Sequence, residues 1–153
     1  MQISDDITMT LTSKANIQIL KKPTEVYETI INPSHLTQFF ISESSGPLET
    51  GKEVLWKFPE FDDRFPITQV KTETNKLISF VWDPETVVTI KLEAFKDHST
   101  VVHVTEGPKD LSDDNLNWLI SNTGGWSNFL ACMKAYMEYG VGLRKGAYDF
   151  MKP

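Results

Sequence analysis

The chain has 153 residues, of which 40% are hydrophobic and 24% are charged, with a formal net charge of −6. These proportions are those of a soluble globular protein. The acidic balance and the scattered positions of Lys and Arg argue against a nucleic-acid or anionic-membrane surface, because both need clustered positive charge. We therefore expect neither nucleic acid nor a membrane as a partner.

The only cysteine, Cys132, cannot form an internal disulfide and fits a reducing compartment. The N-terminal MQISDDITMT lacks the charged-then-apolar pattern of a signal peptide. No apolar run approaches the roughly 20 residues that span a bilayer. These features predict a cytoplasmic protein.

The beginning of the chain predicts one strand followed by two short helices. Alternation within residues 7–21 indicates the strand, and Pro23 opens a helix that Asn32-Pro33 ends. Residues 34–40 predict the second short helix. The inward side chains of these segments are Ala15, Ile17, Ile19, Val26, Tyr27, Ile30, Ile31, Leu36, Phe39 and Phe40.

From Glu43 to Gly107 the pattern changes to a series of strands. They are predicted at residues 53–58, 65–74, 77–82, 86–95 and 100–106. Their spacing is typical of an antiparallel meander with one face exposed to water. Gly107-Pro108 is expected to end the sheet.

The stretch from Leu111 to Tyr139 predicts one long amphipathic helix with Ser112 as its N-cap. Its apolar face is formed by Leu116, Leu119, Thr123, Trp126, Leu130, Met133 and Met137. Two adjacent glycines, Gly124 and Gly125, lie in its middle and cost about 2 kcal/mol of helix stability. They predict a place where another backbone, a ligand or a kink lies close to the helix axis.

This order of elements predicts an α+β protein in which a curved antiparallel sheet of about six strands wraps around the long C-terminal helix. We expect one domain over residues 1–153, with a core at about 11–140 and a C-terminal extension at 141–153. The extension either packs across the sheet or mediates dimer contacts. A homodimer is thus one of the expected states.

Four segments resemble the START-like (SRPBCC, helix-grip) superfamily, and within it the single-domain relatives of the activator of heat shock protein 90 ATPase. They are PTEVYETIINPSHLTQFF, LISFVW, STVVHVTEGP and GGWSNFLACMKAYME. The resemblance implies a hydrophobic cavity between sheet and long helix, where family members bind lipids, hormones or polyketides and a minority catalyse reactions. It does not imply chaperone binding, because the eukaryotic activators carry an additional N-terminal domain for which this chain has no room.

Inward aromatic side chains are the main candidates for ligand contact, because rings give a large contact area at low entropic cost. The same rings could instead fill the core. The polar Asn122 either reaches the cavity or satisfies a neighbouring backbone group. The candidate ligand-binding residues are Trp56, Phe58, Phe80, Trp82, Val104, Glu106, Trp118, Asn122, Trp126 and Phe129.

Glu106 is the most informative polar residue, because alternation places it on the concave face of the last strand. A carboxylate there must lie near the mouth, be paired or be protonated. It is either a polar anchor for a ligand or a rim residue, and Arg64 is one possible partner. It is also the only candidate for a catalytic group.

No metal or cofactor is expected. His35, His98 and His103 do not share a metal-ligand spacing, and Cys132 is interpreted as a small buried hydrophobe. The acidic loop at residues 60–63 is interpreted as solvated rather than as a calcium site, with Phe61 and Phe65 available to cover the pocket mouth.

Three functions follow from these observations. The first is binding of a small hydrophobic ligand without a cofactor, and we prefer it to catalysis. The second is an enzyme of the polyketide cyclase or hydrolase kind that uses Glu106 with Tyr136 or Asn122. The third is a chaperone-associated protein-interaction module that uses the outer face of the sheet.

Overall fold

The computed structural model describes residues 9–153. The part of the first predicted strand before Met9 lies outside this range. The elements in chain order are β1 (Thr10–Ile19), α1 (Pro23–Ile31), α2 (Pro33–Leu36), β2 (Glu43–Ser44), β3 (Val54–Lys57), β4 (Arg64–Glu73), β5 (Leu77–Val81), β6 (Val87–Phe95), β7 (Ser99–Asp110) and α3 (Asp113–Tyr139). Short 3-10 turns cover Lys96–His98 and Asp149–Met151.

The strands of the described residues form one seven-stranded sheet in the order β1-β7-β6-β5-β4-β3-β2, and every neighbouring pair is antiparallel. The predicted α+β helix-grip fold is confirmed. The strand beyond the expected six is β2, which has only two residues. One face of the sheet is buried, as Val88, Ile90 and Leu92 of β6 illustrate, while Val87 on the opposite face is exposed.

Two predicted elements end four residues away from their predicted ends, and the other boundaries agree within three residues. Helix α2 ends at Leu36, and residues 37–40 form turns. Strand β7 continues through Gly107-Pro108 to Asp110, so the prediction that this pair ends the sheet is wrong. The reason is a bulge in β7: Gly107 and Pro108 together lie opposite the single Thr12 of β1, and pairing resumes at Lys109 beyond the proline that cannot donate a ladder hydrogen bond.

Helix α3 begins and ends as its sequence predicts. The Ser112 Oγ accepts a hydrogen bond of 3.1 Å from the backbone N–H of Asn115, and Gly140 ends the helix with a φ of 64°. The helix runs without interruption through Gly124 and Gly125. A Cβ added to either glycine would meet no atom within 4 Å, so neither a kink nor a close backbone explains them. Both face open space.

Helix α3 lies along the edge strand β1 and also contacts β7. Two hydrogen bonds tie it to β1, from Ser13 Oγ to Thr123 Oγ1 at 3.0 Å and from Lys134 Nζ to the Gln18 carbonyl at 2.8 Å. A third joins the backbone N–H of Leu20, the residue after β1, to Glu138 Oε2 at 2.9 Å. The helix therefore protects this edge of the sheet from pairing with another chain. No helix among residues 9–153 is long and apolar enough to cross a membrane.

Candidate functional site

A cavity of about 890 Å³ lies beside the N-terminal half of α3. Its other walls come from the loop between β3 and β4, the residue after β5, and the segment after α3. The lining residues are Phe40, Phe58, Glu60, Phe61, Phe65, Trp82, Trp118, Ile120, Ser121, Asn122, Gly124, Gly125, Trp126, Asn128, Phe129, Arg144, Tyr148 and Met151. This volume is within the range of small-molecule sites.

Stacked and edge-packed rings form the floor of the cavity. The indoles of Trp82 and Trp126 stack with their ring centroids 5.2 Å apart and their planes at 28°. Phe40 packs edge-on against Phe129 at 4.7 Å and against Phe58 at 5.2 Å. Because these rings also contact one another, they present a preformed apolar surface.

Glu106 lies buried behind this floor and is only 1% exposed. Its Oε2 accepts hydrogen bonds from Trp82 Nε1 at 3.1 Å and Thr86 Oγ1 at 2.7 Å. Its Oε1 accepts from Asn122 Nδ2 at 2.9 Å and Trp126 Nε1 at 3.0 Å. Four donors, two from the segment between β5 and β6 and two from α3, therefore replace the hydrogen bonds that the carboxylate loses with water.

The carboxylate holds both stacked indoles by their N–H groups, which fixes the floor of the cavity. The prediction that Arg64 could pair with Glu106 is wrong, because the Arg64 guanidinium lies 2.6 Å from the Glu43 carboxylate at an exposed position. The hydroxyl of Tyr136 is 2.7 Å from His35 Nδ1 and does not line the cavity. Of the two catalytic partners considered for Glu106, the fold brings it together with Asn122.

A cluster of three charged residues, Lys109, Asp83 and Glu85, lies beside the ring of Trp118. Lys109 Nζ lies 4.8 Å from the centroid of the Trp118 ring, 3.1 Å from Asp83 and 3.4 Å from Glu85. Burial acts to raise the pKa of Asp83, but the Glu85 backbone N–H and Lys109 outweigh it and lower that pKa. Burial likewise acts to lower the pKa of Lys109, while Asp83 and Glu85 raise it above its ordinary value.

A buried ion pair joins the loop after β3 to the C-terminal segment. The Arg144 guanidinium donates to both Glu60 oxygens, at 3.0 and 2.7 Å, and lies 4.6 Å above the Tyr148 ring. The Glu60 side chain is 4% exposed and that of Arg144 is 11% exposed. The interpretation of Glu60 as a solvated loop residue is therefore wrong, because the chain folds back after α3 and brings Arg144 to it.

Six of the ten predicted ligand-binding residues line the cavity. They are Phe58, Trp82, Trp118, Asn122, Trp126 and Phe129. Trp56, Phe80, Val104 and Glu106 are buried and are not part of its lining. Ligand contact by any of these residues stays a prediction. Phe61 and Phe65 line the cavity, as the idea of a covered mouth requires.

Sequence reasoning missed the contribution of the C-terminal segment, which places Arg144, Tyr148 and Met151 against the cavity. The available signal was the basic Arg144 near an aromatic residue, with the acidic loop as a possible partner. The sequence predicts Phe40 only as an inward core residue, and in the structure it packs against the core and also borders the cavity. Asn128 and Ile120 also line the cavity, and no sequence pattern predicts this position for either residue.

The three histidines and the cysteine are not part of the cavity lining. Among residues 9–153, no three His, Cys, Asp or Glu side chains group in a way that could hold a metal ion. Cys132 is buried; burial raises the pKa of its thiol, and the Arg144 charge only partly opposes this. His35 instead borders a second, more polar cleft of about 590 Å³ near α1.

Comparison with known proteins identifies relatives of this arrangement. The family model for Activator of Hsp90 ATPase homolog 1-like protein matches residues 21–138. The solved structure of SSP2350 from Staphylococcus saprophyticus is 30% identical, with a TM-score of 0.78, and the match covers 88% of this chain and 96% of that one. No curated protein matches the chain.

Two less similar structures share the fold. The Aha1 dimer from Colwellia psychrerythraea is 20% identical with a TM-score of 0.72, over 85% of this chain and 98% of that chain. DynU16, described as a putative protein in the dynemicin biosynthetic locus, is 23% identical with a TM-score of 0.77. That match covers 90% of this chain and 50% of DynU16.

Proposed function

Since the chain belongs to the Activator of Hsp90 ATPase homolog 1-like protein family, we propose that its cavity binds one small, predominantly apolar molecule. The observation that carries this proposal is the cavity of about 890 Å³ floored by the Trp82–Trp126 stack. Rigid rings bury a large ligand area with little loss of side-chain entropy. The proposed contacts are the six predicted residues that line it.

The glycine pair of α3 supports the same function. Gly124 and Gly125 both border the cavity, and a Cβ on either would enter open space. The absence of side chains there widens the cavity at a cost of about 2 kcal/mol in helix stability. Binding of a ligand in this space would explain why the helix contains two glycines despite their cost in helix stability.

Catalysis by Glu106 is less well supported. Both of its oxygens accept hydrogen bonds from donors of the protein, and the residue is not part of the cavity lining. A general acid or base must reach the reacting proton directly or through one water. We therefore assign Glu106 to positioning the two indoles and Asn122.

The remaining alternatives concern protein partners. A chaperone-associated role has only the family relationship as support. The description of the Colwellia relative as a dimer supports the expectation of a homodimer. Sedimentation of the full chain over a range of concentrations tests this, and a monomer throughout would remove it.

A dye titration tests ligand binding. The uncharged dye N-phenylnaphthylamine fluoresces more strongly in apolar surroundings, and we expect the wild-type protein to bind it saturably. Gly125→Leu should project a side chain into the cavity beside the Trp82–Trp126 stack and weaken binding by about tenfold or more, while Gly125→Ala should bind nearly as well as wild type. Both variants should fold at least as stably as wild type, because Gly is the poorer helix former.

Ser127→Leu is the matched control, because Ser127 lies on α3 but is exposed and outside the cavity lining. It should leave dye binding unchanged. Equal binding by wild type and Gly125→Leu would contradict the proposed site, and the lack of saturable binding by wild type would contradict the function.

A further inference from the structure

The charges of the cavity lining are confined to one ion pair. Among the described residues, Glu60 and Arg144 are the charged side chains that line it, and the others are aromatic, aliphatic or uncharged polar groups. These two side chains come from outside the predicted set of ligand contacts. Because they carry the charges of the lining, they determine the affinity of the cavity for a charged ligand.

The hydrogen bonds of the Glu60–Arg144 pair are made within the pair. Two guanidinium nitrogens of Arg144 donate to the two oxygens of Glu60, in the bidentate arrangement that suits this group best. Both side chains are largely removed from solvent, and the Tyr148 ring covers the guanidinium at 4.6 Å. Glu60 thus occupies the position that the anionic head of a ligand would need.

Resting on the proposed function, we propose that Glu60 is a specificity-determining residue that makes the cavity select uncharged apolar molecules and reject anionic amphiphiles such as fatty carboxylates. The carboxylate of Glu60 acts as a built-in anion for Arg144. Uncharged ligands enter without disturbing the pair. Ligands with a carboxylate or sulfonate must compete with it.

Competition with Glu60 is unfavourable for two reasons. A ligand anion that displaces Glu60 from Arg144 would leave the buried Glu60 carboxylate without its partner. A ligand anion that leaves Glu60 in place would be desolvated next to a second negative charge. Lys109, a cation in contact with the lining residue Trp118, is already paired with Asp83 and Glu85. The net charge of −6 adds a repulsion of the same sign.

Two dyes of matched shape test this selectivity. N-phenylnaphthylamine and anilinonaphthalene sulfonate share their ring system, and only the second carries a charge. We expect wild type to bind the uncharged dye at least about tenfold more tightly. In Glu60→Gln the guanidinium loses its anion, so sulfonate binding should rise by about tenfold while binding of the uncharged dye changes little.

Glu43→Gln is the matched control, because Glu43 pairs with Arg64 in an exposed ion pair away from the cavity lining. It makes the same change in net charge and should leave the ratio of the two affinities at the wild-type value. Should Glu60→Gln not fold, Glu60→Asp keeps the charge but withdraws the carboxylate from Arg144. We expect it to raise sulfonate binding by a smaller factor.

The outcomes separate the two claims. Equal affinity of wild type for both dyes, or an unchanged ratio in the folded Glu60 variant, would overturn the role of Glu60 while the binding function stands. Failure of wild type to bind either dye would overturn both. A ratio that shifts equally in Glu43→Gln would assign the selectivity to net charge and overturn the role of Glu60.

Discussion

Replacing Glu106 by Gln tests the network that holds the cavity floor. The amide keeps one acceptor oxygen but presents an NH2 group where the second oxygen was. In one orientation this NH2 faces Trp82 and Thr86, and in the other it faces Asn122 and Trp126. The Thr86 hydroxyl can turn and accept, and the Asn122 amide can present its oxygen. An indole N–H can only donate, so either orientation leaves one indole without an acceptor.

The expected magnitude follows from that single buried donor. An unsatisfied buried donor costs about 2 kcal/mol. The three remaining hydrogen bonds weaken because the acceptor has lost its charge, whereas an uncharged amide costs less to bury, and these two changes have opposite signs. We therefore expect the free energy of unfolding to fall by about 2 kcal/mol, which lowers the melting temperature by roughly 6 °C for a domain of this size.

Urea unfolding followed by tryptophan fluorescence measures this change. Thr86→Val is the control, because it removes one of the four donors and leaves Trp82 on the same oxygen. It should cost less than Glu106→Gln. Glu106→Leu leaves all four donors without an acceptor and should cost at least about 4 kcal/mol. If Glu106→Gln unfolds at the wild-type midpoint, the carboxylate does not hold the indoles as described.

Two further predictions concern the sheet and the charged cluster beside it. Gly107→Ala would place a Cβ 2.9 Å from Thr12 Oγ1 and 3.0 Å from the Leu11 carbonyl, so it should destabilise the protein by about 1–3 kcal/mol; a melting temperature equal to wild type would contradict this close approach. The lowered pKa of Asp83 means that its ionised form stabilises the fold, fully above the unfolded value of about 3.9 and progressively less as the pH falls through the folded value. Since the Asp83 side chain is 30% exposed, Asp83→Asn should lower the free energy of unfolding by at most about 1 kcal/mol at neutral pH. In acid titrations of stability, the variant and wild type should become equally stable near pH 2. A difference in stability that persists there would refute the stabilising role of ionised Asp83.

The fold could be predicted from the sequence because its periodicity is local. Alternation along β7 places Glu106 on the buried face, and the Ser112 cap and the apolar face define α3 without reference to any tertiary contact. The local sequence favours a strand end at Gly107-Pro108, but in the fold these two residues lie opposite the single Thr12 of β1, and pairing resumes at Lys109. A strand end depends on its partner strand, and the local sequence does not contain that partner.

The site was only partly predictable, because its polar contacts join distant segments. The donors to Glu106 come from Trp82 and Thr86 on one side and from α3 on the other, so the sequence limits the partners without identifying them. The Glu60–Arg144 pair spans 84 residues. Nothing local to either residue distinguishes it from a solvated charge, and only the path of the chain after Gly140 brings them together.

The central claim is that an apolar ligand lies against three of the four tryptophans, and indole NMR signals test it most directly. Trp82, Trp118 and Trp126 line the cavity, whereas Trp56 is buried in the core outside it. A nitrogen-15 labelled sample shows one indole N–H signal for each tryptophan, and Trp→Phe variants assign them. On titration with N-phenylnaphthylamine, the signals of Trp82, Trp118 and Trp126 should shift or broaden and that of Trp56 should stay in place. Saturation of the protein with no change in those three signals, or with a change at Trp56 alone, would contradict the account.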